Sequence, residues 1–183
     1  MSEPRPLRLE GAAAMLAALE SAGVRYVVIG MSAAWIQARV LGDEALYDQI
    51  QTRDLDLAVE RDAENLERLA AALRELGASQ RVERPSGSEE VPIPSSALEG
   101  LLAQQQVVWN LTTRHGEIDL NFETTVFPDS YAEFSKRARR VRFEDEEVAV
   151  ADLDDVIRSK EAADRPRDRE VLPRLRLIAD RLR

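Results

Sequence analysis

The sequence has 183 residues, of which 44% are hydrophobic and 32% are charged, a composition that fits one globular domain with a real core. It contains no cysteine, which excludes disulfide bonds and thiolate metal sites, and its formal net charge of −9 disfavours nonspecific coating of nucleic acid. No apolar run approaches the roughly 18 residues that a membrane-spanning helix needs, and no signal-peptide pattern opens the chain, so we expect a cytoplasmic protein without membrane contact.

The N-terminal part of the chain predicts a helix, a strand and a second helix. Leu9 to Ala22 is rich in alanine and leucine and is followed by Gly23, a typical helix end. The β-branched run 24–29 predicts a buried strand, after which Gly30 opens the second helix. Residues 38–51 have an irregular pattern, which predicts a loop with a short helical piece.

The middle of the chain predicts a further strand and helix and then a loop. Residues 54–59 alternate polar and apolar side chains, which predicts a strand with one wet face. The spacing of leucines across 63–76 is that of an amphipathic helix. Residues 85–94 are rich in Pro, Gly, Ser and Glu, and they predict a mobile loop.

The C-terminal half predicts two hairpins and two helices. Residues 106–113 and 117–122 flank Arg114-His115-Gly116, which favours an antiparallel hairpin, and 139–150 favours a second one that turns at 144–146. Helices are predicted over 152–163 and 167–182, where Pro173 either kinks the second helix or starts a new one.

This order predicts an α/β (α+β) fold in which helices flank a mixed β-sheet. We expect a single domain over 1–183, with a core at about 9–150 and a helical part at about 151–183.

Three aspartates are the main candidates for chemistry. Asp54 and Asp56 are two apart on a predicted strand, so their side chains share one face, and Asp119 lies on the predicted strand 117–122. If the two strands are neighbours, three carboxylates converge there. Such a group needs a cation, and Mg²⁺ prefers oxygen ligands and supports phosphoryl transfer. The alternative is that 54–57 is only a half-exposed edge strand.

The corner Ile29-Gly30-Met31-Ser32 joins a strand to a helix start. Backbone N–H groups at such a corner, together with the Ser32 hydroxyl, can hold a triphosphate. A strand–Gly–helix corner is common in α/β proteins, and the chain has no dinucleotide-binding or P-loop fingerprint.

Taken in order, these motifs resemble those of the polymerase-β-like nucleotidyltransferases. The resemblance is greatest to the prokaryotic branch that contains the AbiEii/MenT-type toxins and relatives of uncharacterised role. The stretches that carry it are 26–34, 52–57, 63–77, 115–120 and 157–168.

The resemblance implies the nucleotidyltransferase fold and transfer of a nucleoside monophosphate from an NTP to a hydroxyl acceptor. It assigns Asp54, Asp56 and Asp119 to catalysis and to binding of Mg²⁺ or Mn²⁺. It also implies that Gly30 and Ser32 contact nucleotide phosphates.

The resemblance extends to the C-terminal helices. Lys160, with Arg165 and Asp168, matches a helical motif of this branch, in which the lysine either contacts phosphate or forms a structural ion pair between the last two helices. Two features depart from the family pattern: Met31 stands where a second glycine or a serine is usual, and the spacer from Gly30 to Asp54 is longer. Both concern the nucleotide pocket.

Several acceptors stay open from the sequence. RNA, particularly tRNA in a toxin–antitoxin or phage-defence setting, is the first. A small molecule of the aminoglycoside type is the second, and a protein hydroxyl, on a cognate toxin or antitoxin, is the third. A protein of this fold that only binds a partner, without catalysis, is the alternative from another class.

Other conspicuous residues have simpler explanations. His115, the single histidine, is predicted to be an exposed turn residue. Trp35 and Trp109 are candidates for base stacking, but a place in the core or at a groove edge is favoured. The basic cluster, residues 136–142, is typical of a solvated surface, and it is the first candidate for phosphate contacts if the acceptor is RNA.

Overall fold

One mixed sheet of eight strands organises the part of the chain that the structure describes. The computed structural model describes residues 6–85, 87–93, 107–124 and 126–183. The strands are β1 (Tyr26–Val28), β2 (Asp54–Val59), β3 (Ser79–Arg84), β4 (Gly87–Val91), β5 (Val108–Thr113), β6 (Gly116–Asn121), β7 (Arg139–Phe143) and β8 (Glu146–Val150). The helices are α1 (Leu9–Ser21), α2 (Gly30–Val40), α3 (Glu44–Tyr47), α4 (Ala63–Glu75), α5 (Ser130–Ser135), α6 (Leu153–Ala163) and α7 (Pro166–Leu182). The predicted mixed α/β class is confirmed.

The sheet has the strand order β4-β3-β5-β6-β2-β1-β8-β7. The β2–β6 and β1–β8 pairs are parallel and the other pairs are antiparallel. β2 is therefore a central strand, and its alternation separates two environments. Leu55 and Leu57 are fully buried, whereas Asp54 and Asp56 are half-buried. One face of β2 thus lies in the hydrophobic core and the other carries the two aspartates, as the alternation of side chains along a strand requires.

Helix α4 shows how local sequence fixes an element and its packing. The Asp62 carboxylate accepts a hydrogen bond from the Asn65 backbone N–H over 3.1 Å, which caps the first turn. Leu66, Leu69 and Leu73 are buried at helical spacing, so the predicted amphipathic helix is confirmed. The helix packs against α1.

The prediction of a mobile loop over 85–94 is wrong for residues 87–91, which form β4. β4 pairs antiparallel with β3, with Gly87 opposite Arg84 and Val91 opposite Gln80. The strand is polar and lies at the sheet edge, so it has none of the apolar alternation that marks a half-buried strand. The Gly- and Pro-rich composition indicates the turn before β4, but it does not indicate the strand that follows. Residues 86 and 94 lie outside the described residues.

The C-terminal helices agree with the sequence more closely. α7 runs without interruption through Pro173, which neither ends it nor starts a new helix. Leu175 and Ile178 are buried on the inner side of α7. The short helix α5 was not predicted. Across the described ranges, none of the helices combines the length and apolar composition that crossing a lipid bilayer requires.

Gly11 marks a close approach between α1 and the turn that joins β5 to β6. A Cβ at residue 11 would lie 2.2 Å from the carbonyl oxygen of His115, well inside van der Waals contact. We expect Gly11→Ala to lower the free energy of unfolding by about 3 kcal/mol, since overpacking outweighs the better helix propensity of alanine. Urea unfolding followed by circular dichroism measures this loss.

His115→Ala is the matched control for this prediction. It removes an exposed side chain but keeps the carbonyl oxygen, so stability should stay within about 0.5 kcal/mol of wild type. If Gly11→Ala were as stable as wild type, α1 and the turn would not be held in the contact described.

Candidate functional site

The parallel pairing of β2 with β6 brings four carboxylates together. Asp54 lies opposite Glu117, and Asp56 lies opposite Asp119, so the expectation that the two strands are neighbours is confirmed. The four residues have the same parity along paired strands and therefore share one face of the sheet. We call Asp54, Asp56, Glu117 and Asp119 the acidic cluster. The Asp119 side chain is 14% exposed and that of Glu117 is 40% exposed, so the cluster runs from a half-buried end to a wet one.

The electrostatics of the cluster are strained by burial and by like charge. Burial raises the pKa of Asp56 to about 8, and the negative charges of Asp54 and Asp119 act in the same direction. The positive charge of Lys160 and a hydrogen bond from Asn121 oppose this rise in the pKa of Asp56. The positive charge around Asp56 is therefore too small to offset the effects of burial and like charge on the pKa of its carboxyl group.

Asp119 has a different set of neighbours. Burial raises its pKa, and the charges of Asp54 and Glu117 raise it further, while a hydrogen bond from Asn110 and the charge of Arg81 lower it. Arg81 Nη2 donates to Asp119 Oδ1 over 3.1 Å. Asp119 is therefore already bonded to a cation of the chain itself.

The donor chemistry of the cluster fits a hard divalent cation, because carboxylate oxygens are the ligands that Mg²⁺ and Mn²⁺ prefer. Asp54, Asp56 and Asp119 are the residues that would hold the ion. As they stand, however, no three Asp, Glu or His side chains among the described residues are arranged as ready ligands of one metal ion.

Gly30 makes room for the Asp56 carboxylate. Its φ is +61°, in the left-handed region, and a Cβ there would lie 2.5 Å from Oδ2 of Asp56. The neighbouring Ile29 N–H donates to the Asp56 carbonyl over 2.9 Å. The start of α2 is thereby held directly against the strand that carries the two aspartates.

Ser32 is fully buried and joins α2 to β2. Its hydroxyl donates to the Asp54 carbonyl over 3.0 Å and accepts from the Asp56 N–H over 2.9 Å. The hydroxyl thus fixes the backbone of both aspartates. That Ser32 contacts a phosphate stays a prediction. Met31, the residue that departs from the family pattern, is partly buried and packs against the hydrophobic core.

A cavity of about 550 Å³ opens beside the acidic cluster. Its size lies in the range of small-molecule sites. Its lining combines charged and polar side chains with apolar ones. The polar lining includes Asp56, Asn121, Ser159, Lys160 and Arg165, and the apolar lining includes Ile29, Val108, Phe134 and Val156.

Lys160 forms the structural ion pair that the sequence left open as one of its two roles, and phosphate contact stays a prediction. Its Nζ lies 3.1 Å from Oδ1 of Asp168, which is only 1% exposed and also pairs with Arg165 over 2.6 Å. This ion pair joins α6 to α7. Lys160 also lines the cavity and lies close enough to Asp56 to oppose the rise in its pKa.

The basic cluster does not present free charge. Each of its cationic side chains lies within 4 Å of a carboxylate: Lys136 of Glu133, Arg137 of Asp155, Arg139 of Asp152, Arg140 of Glu20, and Arg142 of Asp145. Such pairing reduces the field that would attract RNA phosphates. His115 is an exposed turn residue, as predicted, and both Trp35 and Trp109 are buried in the core.

Sequence reasoning missed Arg81, Asn110 and Asn121. All three belong to the polar faces of strands around the cluster, and none is part of a motif. Their relevance depends on which strands are neighbours, which only the strand order shows. An alternation of polar residues on β5 and β6 was the one available signal.

The raised pKa of Asp56 predicts how stability depends on pH. A carboxyl whose folded-state pKa exceeds its unfolded value favours folding when protonated, so metal-free protein should lose stability as pH rises from about 4 to about 8. We expect a loss of roughly 1–3 kcal/mol across this window. Urea unfolding in EDTA measures it, and Asp56→Asn should show a flatter profile. A wild-type profile as flat as that of the variant would contradict the prediction.

Comparison of the sequence with protein-family models gives no match, and comparison with curated proteins gives none either.

Proposed function

We propose that the protein is a metal-dependent enzyme of the nucleotidyltransferase fold, which transfers a nucleoside monophosphate from an NTP to a hydroxyl group. The observation that carries the proposal is the side-by-side placement of Asp56 and Asp119 on parallel strands, with Asp56 lining a cavity. Asp54 adds a third carboxylate on the same face. The motif resemblance and the geometry point to the same residues.

The acidic cluster and the corner at Gly30 would have different roles in the reaction. Asp54, Asp56 and Asp119 would hold Mg²⁺ or Mn²⁺, which when bound supplies positive charge at the phosphates and favours ionisation of the attacking hydroxyl. Gly30 keeps space for the Asp56 carboxylate and places the start of α2 beside it. In the transfer, the acceptor hydroxyl would give its proton to a carboxylate of the acidic cluster as its oxygen bonds to the α-phosphorus, the bond from the α-phosphorus to the β-phosphate oxygen breaks, and pyrophosphate leaves.

Lys160 would contact a phosphate group of the nucleotide in the cavity. Its side chain is 17% exposed and is oriented by the buried carboxylate of Asp168. A lysine held in this way supplies a fixed positive charge without a large loss of side-chain entropy on binding. It therefore supports both the shape of the site and the binding of a triphosphate.

A small hydroxyl compound is the acceptor that one observation favours. The arginines of the basic cluster are paired with carboxylates, Glu123 adds an acidic side chain to the cavity lining, and the chain carries a formal net charge of −9. These features suit a cationic molecule such as an aminoglycoside better than a polyanion. Transfer to tRNA or to a partner protein in a toxin–antitoxin setting remains the other proposal.

The proposal is tested by transfer of label from each of the four α-phosphate-labelled NTPs, with Mg²⁺ or Mn²⁺. The acceptors are total tRNA, a panel of aminoglycosides, and the protein itself. The Asp54→Asn/Asp56→Asn variant is the blank, and Asp145→Asn, which removes a fully exposed carboxylate from the β7–β8 turn, is the matched control.

Label on one acceptor that persists in Asp145→Asn and vanishes in the double variant would establish the enzyme and its substrate class. Absence of label on every acceptor, together with no thermal stabilisation by Mg²⁺-NTP, would overturn the proposal. It would leave a protein that binds a partner through the same fold.

A further inference from the structure

Arg81 on β3 reaches across β5 to the acidic cluster on β6. Its Nη2 donates to Asp119 Oδ1 over 3.1 Å, and its Nη1 lies against the Glu117 carboxylate without forming a hydrogen bond. The Arg81 side chain is 15% exposed and that of Asp119 is 14% exposed. The contact is therefore largely removed from water. In such surroundings the attraction between two opposite charges is only weakly screened.

The position of Arg81 is set by the sheet and not by a flexible loop. β3 pairs with β5, and β5 pairs with β6, where Asn110 lies opposite Asp119. Asn110 also forms a hydrogen bond with Asp119. Asp119 is thus held from the β5 side by an amide and a guanidinium, whereas Asp54 and Asp56 lie on its other side.

A divalent ion and Arg81 need the same carboxylate. Arg81 neutralises part of the cluster when no metal is bound, and an ion entering between Asp56 and Asp119 must share or displace the guanidinium. Lys160 does not compete with a metal ion for Asp119 in this way, because its ammonium group is bonded to Asp168.

We infer that Arg81 is a positioning residue that competes with the divalent metal ion for Asp119. The inference rests on the proposed function, since it assumes that the acidic cluster is a metal site. The guanidinium keeps Asp119 in place while the site lacks its ion, at the cost of metal affinity. Release of Asp119 leaves Arg81 beside Glu117.

Mn²⁺ binding measured by electron paramagnetic resonance tests the inference without an activity assay. Two variants, Arg81→Met and Arg81→Gln, remove the charge. Arg81→Gln keeps a polar side chain and is therefore expected to disturb folding less. Arg84→Met is the matched control, because Arg84 lies on the same strand but forms a half-exposed pair with Glu89. Each variant at residue 81 is also made with Asp119→Asn.

We expect the variants at residue 81 to bind Mn²⁺ about tenfold more tightly than wild type, because the ion no longer has to displace a bonded guanidinium; tenfold corresponds to about 1.4 kcal/mol. Arg84→Met should bind as wild type does. The gain should disappear in the Asp119→Asn background, because a double-mutant cycle isolates the coupling between the two residues.

Two results would overturn the inference while leaving the metal site in place. One is equal Mn²⁺ affinity in wild type and both variants at residue 81. The other is the same gain in the Asp119→Asn background, which would mean that the charge of Arg81 acts on the whole cluster. Absence of Mn²⁺ binding in wild type and in every variant would overturn the inference and the proposed metal site together.

Discussion

Asp56→Asn is expected to abolish nucleotidyl transfer and, in the absence of metal, to make the protein more stable at about pH 8. Loss of a metal-holding carboxylate should reduce transfer by about 10³-fold, since the charge stabilisation by a metal ion is worth several kcal/mol. The gain in stability, about 1–2 kcal/mol, follows because the amide removes a carboxyl whose pKa burial and like charges raise to about 8. Label transfer and urea unfolding in EDTA measure the two effects.

The opposite signs of these effects separate a functional role from a structural one. A carboxylate that only stabilises the fold would lose stability and activity together. Asp145→Asn, at the exposed turn, should change neither quantity. Full transfer activity in Asp56→Asn, or a loss of stability large enough to explain the loss of activity, would contradict the prediction.

Gly30→Ala is expected to reduce transfer by about 10²-fold, the typical effect of a misplacement of about 1 Å at a reacting centre. The new Cβ would lie 2.5 Å from Oδ2 of Asp56, so the carboxylate has to move. The residue would also sit at φ +61°, which costs an L-residue about 1–2 kcal/mol. Label transfer and thermal unfolding measure the two consequences.

Gly42→Ala is the matched control, because it creates the same strain without the contact. Gly42 has φ +69°, and a Cβ there meets nothing within 4 Å. It should lose similar stability and keep full transfer activity. Equal loss of activity in both variants would show that backbone strain matters and the contact with Asp56 does not.

The sequence was most informative where local patterns decide the structure. The alternation at 54–59 predicted both the strand and the shared face of Asp54 and Asp56, and the buried leucines of α4 followed from their spacing. Asp119 was found by the same alternation on β6. These elements carry their apolar and polar residues at the period of their own secondary structure, so no long-range information is needed.

Long-range pairing decided what the sequence could not predict. Arg81 belongs to a polar strand whose residues look like loop or surface, and its contact with Asp119 requires β3, β5 and β6 to lie in order. β4 was missed because a polar edge strand has no buried face. The buried hydroxyl of Ser32 could not be distinguished from a phosphate ligand, because both roles suit a serine at a helix start.

The order of the elements along the chain also sets the time at which each charged residue becomes available during synthesis. Chains emerge from their N-terminus, and folding can begin before synthesis ends. β2 and β6 can pair once residue 121 has left the ribosome, whereas Lys160 and its partner Asp168 follow much later. Arg81 precedes β6 along the chain. In a growing chain, Arg81 and the carboxylates of the acidic cluster are therefore all available for folding before Lys160 is synthesised.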